Sequence, residues 1–203
     1  MAVVILGATG GTGRQLVRQA EDRGLEVRAL ARSLGADVHA GLSEVIGPDD
    51  VVISALGVTR RSEAGTLTAG ARAVIAAKPR HIIWLGAMGT GPSAASVSAF
   101  TRRILRVGFG AEYGDKVTAD TAILDAGGTV VHSGPLSDKP DDTRVTLRPP
   151  ASMRRQFFPA GAPRATIARL MLDEAVEPRG GVLAVFAASG RDAARWADAR
   201  TVR

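Results

Sequence analysis

Short runs of apolar residues alternate along this chain with longer segments in which apolar residues recur at helical spacing. The first run and the run after residue 50 are continuously apolar, which predicts strands buried on both faces of a parallel sheet. The predicted strands are Ala2–Leu6, Glu26–Leu30, Asp50–Gly57, His81–Leu85, Thr129–Leu136, Thr143–Arg148 and Gly181–Ala187. The predicted helices are Gln15–Glu21, Thr66–Ala77, Ser96–Val107, Val117–Ala126 and Pro163–Glu174.

This alternation predicts an α/β fold, in which a doubly wound, mainly parallel sheet carries helices on both faces. No internal boundary is convincing, so residues 1–203 are expected to form one domain. A small substrate-side region is expected to come from about residues 134–165. In the helix that begins near Ser96, the residues Val97, Phe100, Ile104 and Val107 share one face. That face is expected to point inward, onto the core or into a homodimer contact.

A glycine-rich turn follows the first strand and leads directly into the first helix. It contains Gly7, Gly10, Gly11 and Gly13. Glycines allow a sharp turn and a close approach of phosphate to the backbone, and a helix N-terminus offers N–H groups to an anion. The hydroxyls of Thr9 and Thr12 add further donors. Strand, turn and helix together predict a phosphate-binding element.

The spacing Gly7-x-x-Gly10-x-x-Gly13, within Leu-Gly-Ala-Thr-Gly-Gly-Thr-Gly, resembles that of the atypical and extended short-chain dehydrogenase/reductases. More narrowly, it resembles the NmrA-like and biliverdin/flavin-reductase-like NAD(P)H-binding proteins. The resemblance implies a Rossmann-type fold and a nicotinamide dinucleotide cofactor. The segment from Ser33 to Asp49 is too short for the usual helix and third strand, so the sheet is expected to be trimmed there.

The end of the second strand indicates which dinucleotide binds. An acid at this place recognises the ribose of NAD, whereas an arginine accommodates the 2′-phosphate of NADP. No carboxylate lies between Val27 and Ala36, while Arg32 and Ser33 offer a guanidinium and a hydroxyl. NADP is therefore predicted in preference to NAD. The third predicted strand ends at Ala55, Leu56 and Gly57, which are expected to lie beside the ribose and adenine.

The catalytic group is less evident than the cofactor site. Short-chain reductases usually place a tyrosine four residues before a lysine, whereas here Tyr113 lies three residues before Lys116 and Gly114 intervenes. Tyr113 is a candidate proton donor, and Lys116 a candidate ligand of the ribose or nicotinamide. His132 is an alternative acid if it points into the pocket, and otherwise a hydrogen-bonded structural residue. At the strand end where the family has a serine, this chain has Gly86-Ala87.

Composition narrows the remaining classes of function. The net charge of +6 comes mainly from arginines spread along the chain, and aromatics make up only 4%, so no nucleic-acid partner is expected. The absence of cysteine excludes disulfides and thiolate metal sites, and three scattered histidines argue against a histidine-rich one. No apolar stretch is long enough to span a bilayer, so no membrane partner and a cytoplasmic location are expected.

Three functions are compatible with these residues. The first is an NADPH-dependent reductase of a small organic acceptor such as a ketone, enone, quinone or flavin. The second is an NmrA-type sensor or regulatory protein that binds NADP(H) without turnover. The third is an epimerase- or dehydratase-like enzyme that uses the same pocket. The resemblance implies a cofactor more strongly than it implies a reaction.

Overall fold

The computed structural model describes residues 1–31, 42–57 and 65–187. Nine strands and five α-helices occur in this part of the chain. The strands are β1 (Val3–Leu6), β2 (Val27–Leu30), β3 (Val51–Ser54), β4 (His81–Ala87), β5 (Thr129–Ser133), β6 (Leu136–Ser137), β7 (Val145–Arg148), β8 (Ala162–Pro163) and β9 (Gly181–Ala187). The helices are α1 (Gly11–Asp22), α2 (Thr66–Ala77), α3 (Ala99–Phe109), α4 (Glu112–Asp125) and α5 (Arg164–Val176).

Seven strands form one sheet in the order β2-β1-β3-β4-β5-β9-β7. All neighbours are parallel except β7, which pairs antiparallel with β9 at one edge. This is the predicted Rossmann-type, mainly parallel sheet. In such a sheet the ligand lies beyond the carboxyl ends of the strands, which here are Leu6, Ser54, Ala87 and Ser133.

Two apolar layers hold the helices against the sheet. On one face, α1 and α5 pack over a cluster that includes Leu16, Ile53 and Ile167. On the other face, α2 and α4 pack over a cluster that includes Trp84 and Ile123. Side chains of successive residues in a strand point to opposite faces, so each buried strand contributes to both layers.

The sequence predicted most of these elements. Strand β9 and helix α2 have the predicted bounds, and α1 ends at Asp22, close to the predicted glycine stop at Gly24. Helix α4, however, begins at Glu112 and includes Gly114, where a regular helix was not expected. The predicted substrate-side region contains a short parallel pair of strands, β6 and β8, although the extent of the domain stays a prediction.

The prediction that the apolar face of α3 points inward onto the core was wrong, and the alternative of a homodimer contact stays a prediction. Val97, just before the helix, is buried, but Phe100, Ile104 and Val107 are 57%, 44% and 77% exposed. Thr101 is instead the buried residue of this helix. Helical spacing correctly identified residues on a common face, but that face does not pack against the core.

Several predictions fall on residues that the structure does not describe. These are the predictions for Arg32 and Ser33, and the first part of the predicted trimming between Ser33 and Asp49. Among the described strands, β2 is the edge beyond β1. None of the helices in the described ranges is both long and apolar enough to cross a bilayer.

The amino ends of β1 and β3 are joined by a buried carboxylate. Asp50 accepts hydrogen bonds from the N–H groups of Ala2 and Gly47, at 2.9 and 2.8 Å, and pairs with Arg28 at 2.8 Å. Burial alone would raise the pKa of Asp50, but these donors together hold it below the ordinary value. This end of the sheet is therefore fixed by polar contacts, while the opposite end is open.

Candidate functional site

A cavity of about 910 Å³ lies at the carboxyl ends of β1, β3, β4 and β5. Its volume is at the upper end of the range typical for small-molecule and cofactor sites. The glycine turn lines one end, and residues 86–88 with 133–136 line the other. Helix α3, Lys116 of α4 and the segment containing Phe158 lie at its side.

The glycine turn, Gly7 to Gly13, is here called the cradle. Gly7 has φ +74°, and a Cβ at this residue would lie 2.7 Å from the carbonyl oxygen of Ala55, just after the neighbouring strand β3. A Cβ at Gly13 would overlap the carbonyl oxygen of Gly7. These glycines therefore allow α1 to start directly above the end of β1. The N–H groups of its first turn, which have no acceptor within the helix, face the cavity end that Gly11 and Thr12 line.

Arg164, the first residue of α5, lies across the start of α1. A Cβ added to Gly11 would be 2.8 Å from both Cδ and Nε of Arg164, so glycine at this position makes room for the arginine. Arg164 lines the cavity, and its Nη1 donates to Oδ1 of Asp138 at 2.7 Å. The guanidinium adds its charge to the positive end of the helix dipole. Asp138 offsets this positive charge only weakly, because its side chain is 88% exposed. This end of the cavity is thus suited to an anion.

Lys116 and Tyr113 lie on the same helix but in different surroundings. Lys116 lines the cavity, and its Nζ lies 5.2 Å from the ring centroid of Phe109. Among the ion pairs of the described residues, Lys116 has no carboxylate partner. Tyr113 does not line the cavity and instead lies under the guanidinium of Arg106, 5.4 Å from its ring centroid.

Asp115, next to Lys116, explains why α4 begins before Gly114. Its carboxylate accepts hydrogen bonds from the N–H groups of Leu67 and Thr68, at 3.0 and 2.9 Å, and from the Thr68 hydroxyl at 2.6 Å. These donors belong to the first turn of α2, whose N-cap, Gly65, has no side chain to satisfy them. The two helices are thereby joined, and Lys116 is held at the edge of the cavity.

His132 is completely buried in a polar network on the α4 side of the sheet. Its Nδ1 lies 2.6 Å from Oγ of Ser93 and its Nε2 lies 3.0 Å from Oδ2 of Asp120. Ser93 also accepts from the N–H of Gly89 at 2.8 Å and so holds the loop after β4. A Cβ at Gly86 would lie 2.6 Å from the imidazole, so the ring takes up the space beneath that strand. Both ring nitrogens have partners, and His132 is not part of the cavity wall.

Ser133, the next residue, has the opposite environment. It ends β5, lines the cavity and is 6% exposed. Its Oγ has no hydrogen-bond partner, and among the described residues no other buried side-chain nitrogen or oxygen lacks one. Such groups are rare because an unpaired buried hydroxyl costs free energy.

Three phenylalanines form a cluster, here called the aromatic rim: Phe100, Phe157 and Phe158, of which Phe158 lines the cavity. The rings of Phe100 and Phe157 are stacked with centroids 6.0 Å apart, and those of Phe157 and Phe158 meet edge to face at 4.9 Å. The Thr101 hydroxyl donates to the carbonyl of Phe157 and ties this segment to α3. Each ring is more than half exposed, so the apolar face of α3 continues into the cavity mouth.

The structure brings most of the predicted cofactor-binding residues to this cavity. The lining includes Gly7, Thr9, Gly10, Gly11, Thr12, Ala55, Leu56, Gly57 and Lys116. Gly13 is absent from the lining because it packs beneath Gly7, and Arg32 and Ser33 lie outside the described residues. Of the three catalytic candidates, Lys116 lines the cavity, whereas Tyr113 and His132 do not.

Sequence reasoning missed Arg164 and Ser133. Arg164 occurs in Pro163-Arg-Ala-Thr-Ile-Ala, a segment that resembles the family's helix after the substrate region, so a signal was present. Nothing in the sequence marks Ser133, since an unpaired hydroxyl is visible only once its neighbours are placed. Both residues reach the cavity from the second half of the chain.

The sequence profile of the NAD(P)H-binding family matches residues 7–178. That range begins at the cradle and includes every residue of the cavity wall except Leu6. No curated protein matches the sequence. The family match supports a nicotinamide cofactor and confirms the resemblance that the glycine spacing indicated.

Solved structures share the fold at low sequence identity. The anaerobillin reductase ChuY from Escherichia coli O157:H7 has a TM-score of 0.71 and 17% identity, covering 92% of this chain and 97% of its own. The oxidoreductase YlbE from Lactococcus lactis has a TM-score of 0.72 and 13% identity, covering 100% and 98%. A short-chain dehydrogenase/reductase from Veillonella parvula has a TM-score of 0.69 and 13% identity, covering 91% and 93%. At these identities the likeness shows the fold alone.

Proposed function

We propose that this chain, which belongs to the NAD(P)H-binding family, is an NADPH-dependent reductase of a small organic acceptor. The observation that carries the proposal is the cavity, which joins the cradle at one end to Lys116 and Phe158 at the other, here called the acceptor end. A phosphate site and an apolar acceptor site share one space, as hydride transfer between cofactor and acceptor requires.

The residues present fit a dinucleotide. The cradle allows close approach of a pyrophosphate, and Arg164, which lies against Gly11, offers a guanidinium to the same phosphates. Ala55, Leu56 and Gly57 provide an uncharged wall for the ribose and adenine. The preference for NADPH over NADH rests on Arg32 and Ser33 after β2, and on the lack of a carboxylate there.

A bound nicotinamide dinucleotide supplies the hydride, and the chain supplies orientation and charge. Among the described residues, Lys116 is the cation that lines the acceptor end, where it can bond the ribose or stabilise negative charge on an acceptor oxygen. Phe109 and Phe158 line this end and limit the access of water. Since Tyr113 points elsewhere, the proton for a reduced carbonyl comes from Lys116 or from solvent in this proposal.

Thermal shift assays and spectrophotometry test the proposal. NADPH is expected to raise the melting temperature more than NADH, because a ligand that binds only the folded state stabilises it. In Arg32→Glu that difference should disappear, with Arg72→Glu, which is exposed on α2 and does not line the cavity, as a charge-matched control. Loss of NADPH absorbance against a panel of quinones, flavins, enones and ketones then identifies turnover.

One observation favours a second candidate, an NmrA-type sensor. The single tyrosine of the chain, Tyr113, is held by Arg106 outside the cavity, so the usual proton donor of short-chain reductases is absent from the acceptor end. A sensor would bind NADPH tightly, and no acceptor in the panel would cause NADPH to be oxidised. A rate of NADPH oxidation that saturates with the concentration of any one acceptor would exclude the sensor function.

A further inference from the structure

We infer that Ser133 is the residue that anchors the carboxamide of the nicotinamide ring, an inference that rests on the proposed function. Its Oγ is buried, lines the cavity and has neither a donor nor an acceptor as partner. A hydroxyl can donate one hydrogen bond and accept others. In the rest of the described chain, buried side-chain polar atoms all have partners, so this exception calls for a ligand.

The position of Ser133 along the sheet edge points to the nicotinamide end of the cofactor. Strands β3 and β4 separate β5 from β1, so three strand spacings, about 14 Å, lie between the cradle and Ser133. With the phosphates at the cradle and the adenine half toward Ala31 and Leu42, the other half of the dinucleotide extends across β3 and β4. It then ends beside Gly86, Ala87 and Ser133.

The direction of the side chain agrees with that placement. Successive residues of a strand point to opposite faces. His132 points toward Asp120 on the α4 face, and Val131 belongs to the cluster on the α1 and α5 face. Ser133 therefore points to the same face as Val131, the face on which the cradle and Arg164 lie. The Ser133 main chain is fixed, because its carbonyl accepts a 2.9 Å hydrogen bond from the N–H of Met88.

The chemistry selects a primary amide over a simple carbonyl. The Ser133 hydroxyl can both donate and accept a hydrogen bond. A carboxamide has an oxygen that accepts and N–H groups that donate, so it can satisfy both. A ketone acceptor could use only the donor. Ser133 also pairs in register with Ala87, the strand end where short-chain reductases usually carry a serine. The chain thus has its free hydroxyl one strand further along, beside the ring rather than beside the substrate.

Binding of two ligands to three variants tests the assignment. The ligands are NADP⁺ and 2′-phospho-ADP-ribose, which has the same phosphates and adenine but lacks the nicotinamide. Ser133→Ala removes the hydroxyl, Ser133→Thr keeps it, and Ser96→Ala removes a buried hydroxyl that already donates to the carbonyl of Pro150 outside the cavity. Calorimetry gives the affinities, and thermal melting gives the stability of each unliganded protein.

Ser133→Ala is expected to bind NADP⁺ about tenfold more weakly, as the loss of one or two buried hydrogen bonds implies. Its affinity for 2′-phospho-ADP-ribose should equal that of the wild type. Its unliganded melting temperature should stay the same or rise, since an unpaired buried hydroxyl has been removed. Ser133→Thr should retain the wild-type preference for NADP⁺, and Ser96→Ala should lower the melting temperature without changing either affinity.

Three results would overturn the assignment alone: unchanged NADP⁺ binding by Ser133→Ala, equal weakening of both ligands, or equal loss in the alanine and threonine variants. Wild-type protein that binds neither ligand would instead overturn the proposed function, and the Ser133 assignment with it. The two failures are therefore distinguishable in one set of titrations.

Discussion

The two ends of the cavity are built from different materials. The cradle is formed by glycines and backbone amides. Larger side chains are excluded there by close contacts, such as that of Gly7 with the carbonyl of Ala55. The acceptor end is formed by side chains instead, among them Lys116, Ser133 and Phe158. A backbone site tolerates little change and recognises a phosphate, while a side-chain site can be altered residue by residue.

Charge separates the two ends as well. Arg164 and the start of α1 make the cradle positive, and the exposed Asp138 compensates only weakly. Among the described residues, Lys116 is the charged side chain of the acceptor end, whose wall also includes the apolar Ile104, Leu105, Phe109 and Phe158. We therefore expect changes at the cradle to affect binding of any phosphorylated ligand, and changes at the acceptor end to affect selectivity and turnover.

The largest effect is expected from Gly13→Ala, because the new methyl group would overlap the carbonyl of Gly7 and push α1 away from β1. The free energy of unfolding should fall by about 4 kcal/mol, and NADPH binding should be lost. Urea denaturation and calorimetry measure the two. Gly108→Ala on α3, where nothing lies within 4 Å, is the control: it should not lower the free energy of unfolding and should leave NADPH binding unchanged. Normal NADPH binding by Gly13→Ala would show that the cradle is not the phosphate site.

The cradle could be predicted from sequence because its constraints are local. Glycine spacing, a preceding apolar run and a following helix lie within about one short segment, and backbone geometry alone links them. The central strands were equally evident, since continuous apolar runs such as Val51–Ser54 have few alternatives.

The acceptor end, and the arginine beside the cradle, could not be predicted in the same way because they depend on contacts between distant segments. Arg164 meets Gly11 only when α5 packs on α1, and the apolar face of α3 lines a cavity mouth only because the segment at Phe157 lies beside it. Helix α4 includes Gly114 although glycine disfavours helix, since Asp115 bonds the first turn of α2. Tertiary contacts outweighed local preference at each of these places.

Asp120→Ala tests whether the network around His132 is part of the acceptor chemistry. The change leaves a completely buried imidazole nitrogen without its partner and should lower the free energy of unfolding by about 3 kcal/mol. NADPH affinity should change less than about twofold, because neither residue lines the cavity. If Asp120→Ala and His132→Gln were as stable as the wild type but no longer turned over NADPH, a role in catalysis would have to be assigned to His132.

Arg164→Met tests whether the positive charge at the cradle contributes to NADPH binding. Removal of the guanidinium should weaken NADPH binding about 10- to 100-fold, the range of a charge-assisted hydrogen bond to phosphate. Stability should change little, because the ion pair with Asp138 is exposed. Arg169→Met on the same helix is the control: Arg169 bonds Asp141 away from the cavity, so this variant should be less stable and bind normally. Equal affinities in the two variants would contradict the anion role of Arg164.

The smallest effect is expected from Gly114→Ala on α4. No atom lies within 4 Å of the added methyl group, and alanine favours a helix interior over glycine by about 1 kcal/mol. The variant should therefore melt at a higher temperature, with NADPH affinity unchanged since Lys116 stays in place. A loss of stability would mean that the helix does not begin at Glu112 in solution.

The most direct test of the account is a calorimetric titration of the wild-type protein with NADPH, NADH and 2′-phospho-ADP-ribose. We expect one site per chain, with NADPH bound more tightly than NADH, which lacks the 2′-phosphate, and more tightly than 2′-phospho-ADP-ribose, which lacks the nicotinamide. That order would mean that both ends of the cavity contribute to binding. No heat with any of the three ligands at millimolar concentration would contradict the assignment of the cavity to a nicotinamide dinucleotide.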